Sequence, residues 1–160
     1  MSTIDAPVRA AQPLPGPAPR LLVIQAPYYE QVVGGMRRGA ERVFAEAGAT
    51  HQVVEVAGGY ELPAALRMAL AQTGEAYDGY LLLGCVVRGE TDHYTFICDA
   101  ICHGVMQIAA ETGAAIGFGL LTVDTLPQAV ARAGEDHHNK GAEAAHALLG
   151  QVALRRRWGL

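Results

Sequence analysis

The chain predicts a small doubly wound α/β sandwich, in which a four-stranded parallel sheet is covered by helices on both faces. Two observations carry this. Short apolar runs alternate with longer segments whose apolar residues recur at helical spacing. The short runs are also largely apolar, the pattern of parallel strands covered on both faces. Right-handed crossovers between such strands then place helices on each side of the sheet.

Residues 1–19 hold Pro7, Pro13, Pro15, Pro17 and Pro19 among small residues, and read as an extended N-terminal arm outside the core. The domain proper runs from 20 to 160. Residues 20–26 (RLLVIQA) form the first strand. Val32, Val33, Met36, Ala40, Val43, Phe44 and Ala47 then recur at helical spacing, and Gly48 suits the C′ stop. Residues 50–56 form a second strand, and 61–72 a second helix that closes near Gly74. Residues 79–87 form the third strand. Phe96, Ile97, Ile101, Val105 and Ile108 mark a third helix ending at Gly113, and 114–122 follow as the fourth strand. Thr125 with Gln128 makes a capping box for a short helix that runs to Gly134. The last helix spans Asn139 to about Trp158.

With 160 residues, 51% hydrophobic and 18% charged, the chain has the material for one domain with a real core. A net charge of −4 argues against a general nucleic-acid binder. The one basic run, Arg155 to Arg157, sits where the last helix ends and reads as complementing its dipole. No run is long enough to span a membrane, and no signal-peptide pattern opens the sequence. Three cysteines, Cys85, Cys98 and Cys102, fit reduced thiols in the cytoplasm better than a disulfide framework. Cys98, Cys102 and His103 share a helix face, but no second cluster with zinc spacing accompanies them, so no metal is assigned.

In folds of this kind ligands bind beyond the carboxyl ends of the strands. The third such turn, Gly84-Cys85-Val86-Val87-Arg88-Gly89-Glu90-Thr91-Asp92-His93-Tyr94, is the most informative. Free backbone N–H groups at a glycine-bearing helix start attract anions, Arg88 adds charge, and His93 can move protons near neutral pH. After the first strand, Tyr28 and Tyr29 offer either a ring to stack on a planar heterocycle or ordinary packing. After the second, Gly58-Gly59-Tyr60-Glu61 offers close backbone approach and an acceptor for a polyol or amine. A plain helix start with Glu61 on the dipole is the alternative that the residues alone favour. Arg132 can reach a phosphate as a bidentate donor or can lie solvated at its helix end. His137 and His138, in an exposed loop, take no role. The chain lacks the phosphate loop of nucleotide hydrolases, the glycine fingerprint of dinucleotide binding and the hydrolase nucleophile elbow.

Taken together these motifs resemble the lumazine synthase family over about residues 20–158. The marks are Gly84 to Tyr94, Gly-Tyr-Glu-Leu-Pro at 59–63, Phe-Gly-Leu-Leu-Thr at 118–122, QAVARAG at 128–134 and Asn139-Lys140-Gly141. The resemblance implies a flavodoxin-like fold. It implies a transferase that condenses 5-amino-6-ribitylamino-pyrimidinedione with 3,4-dihydroxy-2-butanone 4-phosphate. The products are 6,7-dimethyl-8-ribityllumazine, phosphate and water, in the penultimate step of riboflavin biosynthesis, with no cofactor. By the same resemblance Tyr28 stacks on the pyrimidine, Gly59, Tyr60 and Glu61 hold the ribityl chain, and Cys85, Val86 and Val87 line the pyrimidine. Glu90 and Thr91 grip the phosphate and His93 is the general acid/base. Phe118 and Arg132 come from the neighbouring subunit, with Arg132 on the phosphate.

The resemblance further implies a homopentamer or a multiple of it, with sites at subunit interfaces, and riboflavin synthase as a partner. The Gly134–Lys140 connection has the length of shell-forming members, while the proline-rich arm, which cannot pair as a full strand, tips the balance to a free pentamer or decamer over a sixty-subunit shell. The chain departs from the family at Pro27-Tyr28-Tyr29, Ala57-Gly58-Gly59, Cys85, Asp92 and Asp136-His137-His138. These departures keep a second reading open, a flavin- or lumazine-binding storage protein with little turnover. A third, a flavodoxin-like electron carrier, lacks the Ser- and Thr-rich phosphate loop after the first strand.

Overall fold

A computed structural model describes residues 14–74 and 76–160. Four strands form one parallel sheet: β1 (Arg20–Gln25), β2 (Thr50–Glu55), β3 (Gly79–Val87) and β4 (Ile116–Val123), in the order β2-β1-β3-β4. Five α-helices connect or flank them: α1 (Glu30–Glu46), α2 (Glu61–Leu70), α3 (His93–Thr112), α4 (Leu126–Val130) and α5 (Lys140–Arg157). The doubly wound α/β class read from the sequence is therefore the observed one.

The alternation along β3 shows why the strands read as continuous apolar runs. Leu81 and Leu83 enter one core with Met36, Phe44 and Leu148 of α1 and α5. Tyr80 and Leu82 enter the other with Leu62, Leu66 and Ile101 of α2 and α3. Both faces are dry, so neither set of side chains can be polar.

Most boundaries differ by a residue or two, and the end of α4 by four. β1 stops at Gln25, although the Ala26 N–H still bonds the Leu83 carbonyl. β4 is shifted toward its C-terminus because its ladder with β3 runs from Tyr80↔Ile116 to Val87↔Val123. α2 stops at Leu70, and α4 has only five residues before the chain turns at Ala131. The loop read after β1 is a 3-10 turn, Pro27–Tyr29, that runs straight into α1. Gly48 and Gly113 do end α1 and α3 in the left-handed region, with φ of 66° and 61°.

α1 and α5 pack at very short range. A Cβ on Gly141 would stand 2.0 Å from the Met36 carbonyl oxygen, so only glycine fits there. Next to it Asn139, 1% exposed, pins the seam. Its amide donates to the Gly35 and Gly134 carbonyls at 3.0 and 2.6 Å, and its side-chain oxygen caps α5 through the Ala142 N–H at 3.0 Å.

The C-terminal arginines do more than complement a dipole. Arg156 donates to the carbonyls of Pro15 and Pro17, each at 2.8 Å, and to Asp78 at 3.0 Å, while Arg155 donates to the Gly113 carbonyl. These bonds lay residues 15–17 along α5, and Leu14 packs against the core. Residues 1–13 of the proline-rich arm lie outside the described residues.

α3 is conspicuous for what it leaves uncovered. It carries aromatic and aliphatic residues along its length, yet only Ile101 and Val105 are buried. Phe96 and Met106 are 64% and 57% exposed. Among the described residues no helix is long and apolar enough to cross a membrane.

Candidate active site

The strand order places a topological switch between β1 and β3. The connection after β1 leads outward to β2, and the next returns across to β3. Adjacent turns diverge at such a point and leave a crevice beyond the carboxyl ends. A cavity of about 450 Å³ opens there. Its floor is the end of β3, Cys85 to Val87. One wall is Tyr28 and Tyr29, another is the Ala57–Glu61 loop, and the third is the turn that carries Thr91 and His93. Tyr28, Gly59, Tyr60, Glu61, Cys85, Val86, Val87, Thr91 and His93 are thus brought together from the ends of three strands.

Local contacts explain the shape. Gly59 is pressed onto α3, where a Cβ would stand 2.5 Å from Ile101 Cδ1. That close approach lets the Tyr60 ring meet the His93 ring edge-on, with centroids 5.8 Å apart and planes at 62°. His93 is the first residue of α3, and its N–H faces Thr91 Oγ1 at 3.4 Å. Tyr28 stands 77% exposed at the rim, its ring held edge-on against Tyr29 at 5.1 Å. Cys85 lies beneath, 7% exposed, and burial pushes its thiol up to about 11. Burial first, and then Tyr28 and Cys85, raise Tyr29 above the usual phenol value.

Three residues lie elsewhere. Glu90 is exposed and does not line this cavity. Phe118 and Arg132 line a second cavity, about 680 Å³, that runs along the free edge of β4. Arg132 is half-buried there, and its Nη1 donates to the Gln128 carbonyl at 2.8 Å. A single chain therefore splits the residues read as one site into two surfaces, with Tyr94 lining both.

Arg88 needs correction as a charge for the anion turn. Its Nε donates to Asp124 Oδ1 at 2.7 Å, and its guanidinium lies over the Tyr94 ring at 4.1 Å. It lines the β4 cavity instead, because the Arg88 N–H continues the ladder to the Val123 carbonyl at 2.9 Å and the side chain turns to the β4 side. The carboxylates noted as departures are also placed. Asp92 precedes α3 without capping it, and Asp136 accepts from the His138 N–H at 2.9 Å inside its own loop. His138 is half-buried, not exposed, and its ring lies 3.8 Å from that of His137.

The sequence marks Lys140 within the Asn139-Lys140-Gly141 motif but assigns it no role. It lines the β4 cavity with Arg132 and pairs with Glu143. The available signal was its position, since a lysine at a helix N-terminus opposes the dipole and calls for a reason.

The family model for 6,7-dimethyl-8-ribityllumazine synthase matches residues 18–156. Proteins named 6,7-dimethyl-8-ribityllumazine synthase resemble the chain throughout. That of Bartonella bacilliformis is 39% identical over 141 residues, covering 88% of this chain and 93% of its own. That of Novosphingobium aromaticivorans is 40% identical over 139 residues, covering 87% and 98%. That of Paramagnetospirillum magneticum is 36% identical over 146 residues, covering 88% and 97%. The switch-point crevice and a match that covers 88% of the chain lead to one conclusion: the chain belongs to the 6,7-dimethyl-8-ribityllumazine synthase family.

Proposed function

We infer that this chain is a transferase that condenses 5-amino-6-ribitylamino-pyrimidinedione with 3,4-dihydroxy-2-butanone 4-phosphate. It releases 6,7-dimethyl-8-ribityllumazine, phosphate and water, the penultimate step of riboflavin biosynthesis. The observation that carries the reading is the crevice in which an exposed aromatic, a glycine-backed loop with a carboxylate and a histidine at a helix start face one another.

Tyr28 stacks on the pyrimidine over a floor of Cys85, Val86 and Val87. Gly59, Tyr60 and Glu61 hold the ribityl chain, with Glu61 accepting its hydroxyls. The pyrimidine amine attacks the ketone to form an imine and expel water. His93 removes a proton next to the imine as the phosphate departs from the terminal carbon. The leaving anion is met by the N–H groups of the turn at Glu90 and Thr91 and by Arg132. The second nitrogen then closes the ring with loss of water. Orientation of the two substrates supplies much of the rate.

Phe118 and Arg132 serve the site of a neighbouring copy. This is supported by their separation from His93 into another cavity on the open edge of β4. The apolar surface that α3 leaves uncovered supports an assembly as well. The assembly is a homopentamer or a multiple of it, cytoplasmic, whose product passes to riboflavin synthase. Nothing favours the storage reading.

The test follows lumazine absorbance and phosphate release with both substrates present. Product formation by the wild type, with Arg132→Lys raising KM for the butanone phosphate and leaving pyrimidine affinity nearly intact, is the expected result. Lysine keeps the charge and loses the planar fork. No lumazine from the wild type overturns the reading, and equal weakening of both substrates removes Arg132 from the phosphate.

A further inference from the structure

We propose that Arg88 and Asp124 form a positioning pair that sets the His93 turn against the end of β4, and that Arg88 is not a phosphate ligand. The proposal rests on the reading of His93 as the proton-transfer group and goes beyond it.

The contacts are continuous. Tyr94 directly follows His93, and the Arg88 guanidinium lies over its ring at 4.1 Å. Arg88 Nε donates to Asp124 Oδ1 at 2.7 Å. The Asp124 N–H in turn donates to Gln128 Oε1 at 2.9 Å, inside the capping box of α4. Gln128 also accepts, through its carbonyl, from Arg132 Nη1 at 2.8 Å. A single run of contacts thus joins the helix start that carries His93 to the turn after α4 that carries Arg132. The Asp124 hydrogen bond, above all, holds the guanidinium more firmly protonated than usual.

Both partners are about half exposed, so the pair adds little to folding stability. Its geometry has another consequence. A planar guanidinium can lie flat on a ring and donate from its edge at once, which an ammonium cannot do. Removing that constraint frees Tyr94 and the first turn of α3. Small misplacements of a reacting group cost rate out of proportion to their energy, up to about 100-fold for one ångström. The carboxylate of Asp124 also takes the Nε–H of Arg88, so that donor is not available to a phosphate.

The experiment uses the assembled wild-type enzyme and the variants Arg88→Lys, Asp124→Asn and His93→Ala. Circular dichroism and mass check that each is folded and assembled. The imidazole resonances of His93 are read in histidine-labelled protein, together with kcat and the affinity for inorganic phosphate. Arg88→Lys and Asp124→Asn should both move the His93 resonances. Each should lower kcat about tenfold or more, leave phosphate affinity within about twofold, and fail to add in the double variant. Unmoved His93 resonances in both folded variants overturn the proposal. So does a phosphate affinity lost in Arg88→Lys, which would make Arg88 a ligand. If the resonances move while His93→Ala turns over like the wild type, the pair stands as a positioning device and the reading of His93 falls.

Discussion

His93 and Cys85 share one cavity with opposite chemistry. His93 is exposed at a helix start, open to substrate on one side and to the Tyr60 ring on the other. His93→Ala should lower turnover by about 100-fold, the low end for a general acid/base, because amine–ketone condensation is facile chemistry. Substrate dissociation constants should change little, and stopped-flow turnover beside equilibrium titration of the pyrimidine separates the two effects. Cys85 is sealed beneath. Its thiol is held near 11 against an ordinary 9.0, so the unfolded chain loses that proton first as pH rises. The thiol therefore leaves stability flat below about pH 9 and lowers it progressively toward pH 11. A Cys85→Ser chain should lack that part of the decline, measured by denaturant titration at stepped pH. Alkylation followed by mass spectrometry should label the half-buried Cys98 and Cys102 before Cys85.

Among the elements, the α1–α5 seam and the short helix α4 matter most for placing the site. Asn139 serves two carbonyls and a helix cap from one buried side chain. Asn139→Ala should cost about 2–4 kcal/mol, the sum of a lost cap and orphaned carbonyls, and chemical denaturation will measure it. The same change should disturb the loop before α5 and raise KM for the butanone phosphate, since Arg132 and Lys140 flank that loop. The α4 capping box was readable from Thr125 and Gln128 alone, because a cap needs only residue types at a fixed spacing. The end of α4 was not readable so far along, since QAVARAG keeps good helix formers while the chain turns at Ala131.

At the scale of the whole molecule, the division of site residues between two cavities makes a direct prediction. If one site takes His93 from one copy and Arg132 from the next, neither His93→Ala nor Arg132→Ala chains have intact sites alone. An equal mixture refolded together should regain about a quarter of the sites, because each needs one intact partner of each kind. No recovery in a mixture shown to co-assemble sinks the shared site. Light scattering should give a mass that is a multiple of five chains, and the mass of one active chain sinks the assembly.

The strand–helix alternation, the doubly wound class and the membership of the crevice were all legible in the chain. Each depends on local pattern: an apolar run long enough to be buried on both faces, a helical period, and a turn after each strand. Tyr28, Tyr60, Cys85 and His93 come from the ends of three strands, and strand order alone brings strand ends to one side of a sheet. The pairing of Arg88 with Asp124, the Tyr60–His93 contact and the withdrawal of Phe118 and Arg132 to the β4 edge were decided by the tertiary structure. Thirty-six positions separate Arg88 from Asp124 along the chain. Only the register of β3 on β4 brings the ends of the two strands side by side. Residue type says that an arginine carries charge; the neighbour across the sheet decides what that charge is spent on.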